Sequence, residues 1–254
     1  MEQNVYTVGQ ENFNLPHDVL QLPTGGIFYK SKKKSVKVGY LTANDENFLV
    51  SIASQQGSST NIVLSLLRNK IYEHDIRPDE MLEGDIEAIL IFLRNTSFGP
   101  EYKISVTDPK TGKQFETEIL LDELNIKRIP NTPDENGFFT TKLPRSGSTV
   151  KLKPLTYGEI MEIEKMSEQY PVGRIAPKVT WRLERQIQEV DGNADKGQIA
   201  QFVASLPIMD SKHIRNFMRE NQISLDLKRQ VTAPSGELVS FEITFGAEFF
   251  RPFF

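Results

Sequence analysis

Two stretches of this sequence carry the same signals in the same order, and that repetition limits the possible folds more than any single motif. Leu143-Pro144-Arg145-Ser146-Gly147 repeats the turn signal Leu22-Pro23-Thr24-Gly25-Gly26. Val150-Lys151-Leu152-Lys153-Pro154-Leu155-Thr156 aligns with Val36-Lys37-Val38-Gly39-Tyr40-Leu41-Thr42 at an offset of 150 − 36 = 114. In both copies the Thr precedes a helical pattern and has an acid three residues on, Asp45 or Glu159. For Thr156 and Glu159 this is a capping box, in which each side chain satisfies a free backbone N–H of the other. Asp210–Arg219 aligns with Asp85–Arg94 at an offset of 210 − 85 = 125, and Leu225-Asp226-Leu227 with Val231–Gly236 matches the strand and turn of Tyr102–Gly112. The offset grows by 125 − 114 = 11, so the second copy holds about eleven extra residues, expected between Pro171 and Gly197. Two units are fewer than the three or more that a solenoid needs. The expected fold is therefore α+β: two tandem, similar domains, each a β-hairpin, helices and a second β-hairpin.

The expected boundaries follow. Residues 1–19 read as a polar N-terminal arm, 20–124 as the first repeat, and 125–137, rich in Pro, Asn and Asp, as a linker. Residues 138–247 form the second repeat and 248–254 a Phe-rich tail. Within the first repeat, Ile27-Phe28-Tyr29 reads as a short strand and Lys30–Lys34 as a charged hairpin tip, with Val36–Tyr40 as the returning strand. Helical spacing follows at Phe48, Leu49 and Ile52, then at Ile62, Val63, Leu66, Leu67 and Ile71 after the loop from Gly57 to Asn61. A third helix runs through Ile86, Ile89, Leu90 and Leu93 and stops at Gly99-Pro100. Strands at Tyr102–Val106 and Phe115–Ile119 flank the turn Asp108–Gly112. In the second repeat, Val179, Leu183 and Ile187 form one helical stripe, and Trp181 beside it reads as core.

Composition excludes whole classes of chemistry. The 254 residues contain no cysteine, which removes disulfides, a thiol nucleophile and thiolate metal sites. Thirty Lys+Arg against 34 Asp+Glu give a net charge of −4, without the basic excess of a dedicated nucleic-acid binder. Met1-Glu2-Gln3-Asn4 has no signal-peptide character, and the longest apolar stretch, Ile86–Leu93, is far short of a membrane span. His17, His74 and His213 share no ligand spacing; Asp79, Glu80 and Glu83 lack a cation loop, and no Gly-Lys-Ser/Thr follows the glycines near Thr24. No catalytic residue, cofactor site or metal site is expected. A hydrolase built on carboxylates such as Glu159, Glu162 or Asp210 would need two of them together in a cleft with a shifted pKa.

Two features suggest contact with partners. Lys32, Lys33 and Lys34 read as a solvated tip that protects a sheet edge, or as a patch for an acidic partner. Phe249, Phe250, Arg251, Pro252, Phe253 and Phe254 are too apolar to be left in water. They either pack on their own domain or dock into another protein; both readings stand.

The residues also carry a resemblance. Leu22–Tyr29, Val36–Glu46 with its Leu41-Thr42 and acidic follow-on, Ile89–Arg94 leading to Ser97-Phe98-Gly99, the Leu-Pro and Leu-Thr-acid pattern of Thr141–Glu164, and the finish Phe249-Phe250-Arg251-Pro252 resemble the baseplate hub and hub-assembly proteins of contractile-tailed bacteriophages. Relatives often carry a Cys-Pro-x-Cys knuckle in the hairpin turn. Here Asp108-Pro109-Lys110-Thr111-Gly112 and Ala233-Pro234-Ser235-Gly236 keep the Pro and Gly without cysteine, which removes any case for zinc. The resemblance implies a non-enzymatic structural or assembly protein in the hub region of the tail baseplate. It would be made in the host cytoplasm, docked to other tail proteins in a multi-subunit assembly, and free of cofactor, nucleic acid and membrane. The alternative is a transient cytoplasmic assembly chaperone or peptide-binding adaptor that is not retained in the virion.

Overall fold

The computed structural model describes residues 16–53, 59–245 and 247–250, and its small antiparallel sheets among helices make an α+β fold. The chain opens with β1 (His17–Gln21), which pairs antiparallel with β2 (Ser35–Gly39) so that Leu20 faces Val36. This first strand lies earlier than expected. Residues 27–29 are instead part of a run of turns, with Ile27 N–H on Thr24 O and Tyr29 N–H on Gly26 O. Asp85 holds Thr24 and Tyr29 in the turns, and Gly26, at φ +75°, allows the fold-back because a Cβ there would stand 2.2 Å from Lys33 O.

Helix α1 (Ala43–Ala53) starts behind Thr42, whose N–H and hydroxyl both donate to Asp45, at 2.7 and 2.6 Å. Asp45 also forms a buried ion pair with Lys70 at the end of α2 (Ser59–Lys70). Ile71 then touches the outer edge of β2 in a single antiparallel bridge to Val38. A short 3-10 turn (Pro78–Glu80) leads into α3 (Glu83–Phe98), which ends at Gly99 with φ +83°. The hairpin of β3 (Glu101–Thr107) and β4 (Gln114–Leu120) follows as expected.

The second half begins with β5 (Phe139–Lys142), β6 (Thr149–Leu152), α4 (Tyr157–Glu168) and α5 (Lys178–Gln186). Thr156 and Glu159 make the reciprocal capping box at the start of α4. Ile187 departs from the expected helical stripe. It opens β7 (Ile187–Val190), which adds a third strand beside β6. Helix α5 is short, and of the expected stripe it buries only Leu183. Val179 is exposed, and Trp181 is half-buried, its ring edge-on to Tyr170 at 5.8 Å. Then come α6 (Lys196–Ala204), α7 (Ile208–Glu220), β8 (Lys228–Thr232), β9 (Leu238–Glu242) and a closing 3-10 turn (Ala247–Phe250).

Leu152 pairs with Ile187 across β6 and β7, and Val38 bridges Ile71 beside β2.

Two apolar cores result. One gathers Phe139, Leu143, Val150, Leu152, Leu183, Ile187, Ile214 and neighbours. The other gathers Val36, Val38, Leu66, Leu67, Ile89 and Leu93, and it also takes in Leu227, Ile243, Phe249 and Phe250 from the far end of the chain. Part of the expected linker explains how the chain returns. Ile126 bridges Leu225, Lys127 N–H donates to Ser224 O and Asp226 N–H to Asn125 O, both at 2.8 Å. The two long hairpins meet at their turns, where the Ser235 hydroxyl donates to Asp108 at 2.8 Å.

Candidate docking surfaces

Buried aspartates hold the two Leu-Pro loops in place. Asp85, in the first turn of α3, accepts from Thr24 N–H at 3.0 Å, from the Thr24 hydroxyl at 2.6 Å and from the Tyr29 hydroxyl. The Tyr29 oxygen in turn accepts from Leu82 N–H at 2.9 Å. Burial pushes the carboxyl of Asp85 up, and burial beside that carboxyl pushes the Tyr29 phenol far up. Asp210, in the first turn of α7, does the same work for the second loop, accepting from the N–H groups of Arg145 at 2.7 Å and Ser146 at 2.9 Å. Burial works to raise its pKa, but these backbone donors, with the Ser146 side chain and nearby His213, together outweigh it and hold the carboxyl below its ordinary value.

The carboxylates weighed for hydrolysis are each committed elsewhere. Asp210 is buried under its loop, Glu159 caps α4 and pairs with Lys153 at 2.6 Å, and Glu162 pairs with Arg185 at 3.2 Å. The structure does not bring two of them together in a cleft. His213 sits against the Thr141 hydroxyl at 3.0 Å and stacks on Phe217. Among the described residues no group of three His, Asp or Glu is placed to hold a metal ion.

The lysines expected at a hairpin tip do not form one free patch. Lys32 Nζ donates to the carbonyls of Ile27 at 2.9 Å and Glu135 at 2.6 Å, tying the first loop to the segment that precedes β5. Lys33 pairs with Asp75 at 2.6 Å, and that hydrogen bond holds the Asp75 carboxyl below its ordinary value. Lys34 is exposed.

Of the aromatic tail, Phe249 and Phe250 turn inward rather than to a partner. Phe249 is fully buried, with ring centroids 5.4 Å from Tyr102, 4.9 Å from Phe245 and 5.1 Å from Phe250. Their apolar surface is spent on the chain's own first core. Arg251, Pro252, Phe253 and Phe254 lie outside the described residues. The connector that these rings pack against is held by Arg94, which is buried. Its guanidinium donates to the carbonyls of Gly99 at 2.8 Å and Glu101 at 3.1 Å and lies over the rings of Phe98 and Tyr102.

Open apolar surface lies elsewhere. In the loop between α4 and α5, Val172 and Ile175 are 104% and 95% exposed, and at the start of α7 Ile208 and Met209 are 83% and 61% exposed. At the start of α3, by contrast, Glu83 and Gly84 are covered. Gln222 donates to Glu83 at 2.8 Å, Leu225 N–H donates to Glu87 at 3.2 Å, and a Cβ on Gly84 would stand 2.3 Å from Ile223 O. The start of α3 is therefore closed by the chain's own residues, whereas the start of α7 is left open and apolar. Sequence reading missed these residues because Val172 and Ile175 belong to no period. Their only signal is an aperiodic stretch held between Pro171 and Pro177.

Residues 27–251 match the model of a protein family described as T4 bacteriophage base plate protein. No curated protein and no solved structure matches the chain.

Proposed function

The chain belongs to the family of T4 bacteriophage base plate proteins, and from that premise we propose that it works in the hub region of a contractile tail, as a non-enzymatic part that docks other tail proteins. Family membership supports a structural component of the phage baseplate. The observation that carries the docking reading is the pair of uncovered apolar sites, Val172 with Ile175 and Ile208 with Met209. Each apolar side chain of this size gains on the order of 1.5–3 kcal/mol when fully buried. Each pair supplies uncovered apolar anchors of the kind that dominate interfaces.

The same proposal includes tandem duplication of one α+β unit, over 20–124 and 138–247. It is supported by the recurrence of a buried first-turn aspartate under a Leu-Pro loop, of a Thr-x-x-acid helix start, and of a closing hairpin that returns after the last helix. Duplication gives two related surfaces, and divergence at Gly84 and Met209 closes one and opens the other.

The test is a pull-down from infected cells with the wild-type chain, Val172→Asp/Ile175→Asp and Ile208→Asp/Met209→Asp, with partners identified by mass. Both variants are expected to keep the wild-type circular dichroism and to lose tail-protein partners. Retention of every partner by both removes the docking reading. Mass spectrometry of purified particles then separates a resident part, present in stoichiometric amount, from the alternative of a transient assembly chaperone, which is absent.

A further inference from the structure

Between the two halves of the chain lies a cleft of about 380 Å³, large enough for a small ligand or a few side chains. Phe28 and Leu82 line it from the first half, Leu155 and Ile160 from the second. Three exposed arginines share it: Arg182 on α5, and Arg215 and Arg219 on α7. Arg182 reaches Glu164 at 3.3 Å. Arg215 Nε donates to the Ser211 carbonyl at 3.3 Å and Arg219 Nη2 to the Asn216 side-chain oxygen at 3.0 Å. Among the described residues, neither of these two has a carboxylate in ion-pair range. Other cations of the second half do find acids, as Lys153 finds Glu159 and Arg185 finds Glu162. Two cations one helical turn apart repel each other, and a bound carboxylate removes that cost.

We propose that this cleft binds an extended acidic segment of a partner protein, of the form acid–apolar–acid, with its two carboxylates on Arg215 and Arg219. The spacing fits. Residues four apart on a helix are separated by about 6 Å along its axis, and alternate side chains of an extended chain lie on one face roughly 6.6 Å apart. Each guanidinium fork matches a carboxylate with two parallel hydrogen bonds. The intervening apolar side chain of the segment then falls to the walls of Phe28, Leu82, Leu155 and Ile160. Glu83 also lines the cleft, where it accepts from the Gln222 amide at 2.8 Å. Its charge tolerates single carboxylates seated on the arginine side but repels a phosphate chain running the length of the cleft. The net charge of −4 works against a nucleic acid in the same way. The proposal rests on the reading that the chain docks other tail proteins. It adds the chemistry of one partner segment, at a surface to which Val172, Ile175, Ile208 and Met209 do not contribute.

The test is fluorescence anisotropy of a labelled synthetic peptide with a Glu-Leu-Glu core, titrated with the purified full chain. Saturable binding is expected, weakened by added salt. Arg215→Gln/Arg219→Gln should lower the affinity about fivefold or more, as should a Gln-Leu-Gln core in the peptide. Lys165→Gln/Lys212→Gln removes the same charge from exposed positions outside the cleft and should leave binding unchanged. Absence of saturable binding at millimolar peptide overturns the proposal, as does equal affinity for the Gln-Leu-Gln peptide. Equal loss in the two double variants overturns it in favour of bulk charge alone. Displacement by inorganic phosphate at lower concentration than by unlabelled peptide overturns it in favour of a phosphate site. All four substitutions lie at exposed positions, and circular dichroism checks that each variant is folded. None of these failures touches the pull-down with the apolar-site variants, so the two readings fall separately.

Discussion

Glu87 offers the sharpest test of how the two halves are joined. It lies on α3, is 9% exposed, and accepts the Leu225 N–H of the connector between α7 and β8 at 3.2 Å. Burial pushes its pKa up to about 7 from an ordinary 4.5, and the nearby carboxylates Glu83 and Glu242 add to the rise against the opposing Leu225 hydrogen bond. A raised pKa in the folded state means that folding stability is fully present below the unfolded value and is lost as pH rises through the folded one. The shift of about 2.5 units corresponds to about 3 kcal/mol once the group is ionised in both states. Glu87→Gln keeps an oxygen for Leu225 N–H and never ionises. It should therefore match the wild type at about pH 4 and exceed it by up to about 3 kcal/mol at about pH 8. Urea denaturation followed by circular dichroism at several pH values measures this. A difference that stays constant with pH, or a wild type that gains on the variant as pH rises, refutes the burial of an ionisable Glu87 at this contact.

Three further outcomes follow from the packing. Phe249→Ala empties a fully buried site among Tyr102, Phe245 and Phe250 and should cost about 3–5 kcal/mol in thermal or chemical unfolding; a near-neutral result would show that the ring is not in the core. Gly84→Ala puts a methyl 2.3 Å from Ile223 O and should destabilise by about 1–3 kcal/mol, with faster amide exchange at Leu225, whereas Gly173→Ala, in an open loop at φ +82°, leaves that exchange unchanged. Asp210→Asn places an amide donor against the Arg145 or Ser146 N–H and should cost roughly 1–3 kcal/mol at neutral pH. Because the Asp210 carboxyl is held below its ordinary 3.8, the wild-type advantage is present above that value and shrinks as pH falls through the depressed pKa.

Local signals read correctly where a short stretch of chain decides its own geometry. The capping box of Thr156 and Glu159, the glycine stop after α3 and the Asp108 turn all involve residues within a few positions of each other. The errors fall where a distant residue overrides local pattern. Ile27-Phe28-Tyr29 is a short apolar run of strand type, yet Asp85, sixty-one residues from Thr24, holds the loop in turns. Ile187 continues a helical stripe on paper, but the free edge of β6 claims it for a strand. Lys32 and Lys33 read as a solvated tip or a patch for an acidic partner, and the fold adds contacts the sequence does not show, with the Glu135 carbonyl and with Asp75.

By itself the sequence determined the α+β class and, through the absence of cysteine, the exclusion of disulfide and thiolate-metal chemistry, because these depend on residue type and spacing along the chain. Only the tertiary structure decided that Phe249 and Phe250 complete the first core, that Asp85 and Asp210 are buried beneath their loops, and which apolar side chains are left uncovered. Burial is a property of what packs against a residue. Val172 and Ile175 differ from Val36 and Ile89 not in hydrophobicity but in having nothing over them.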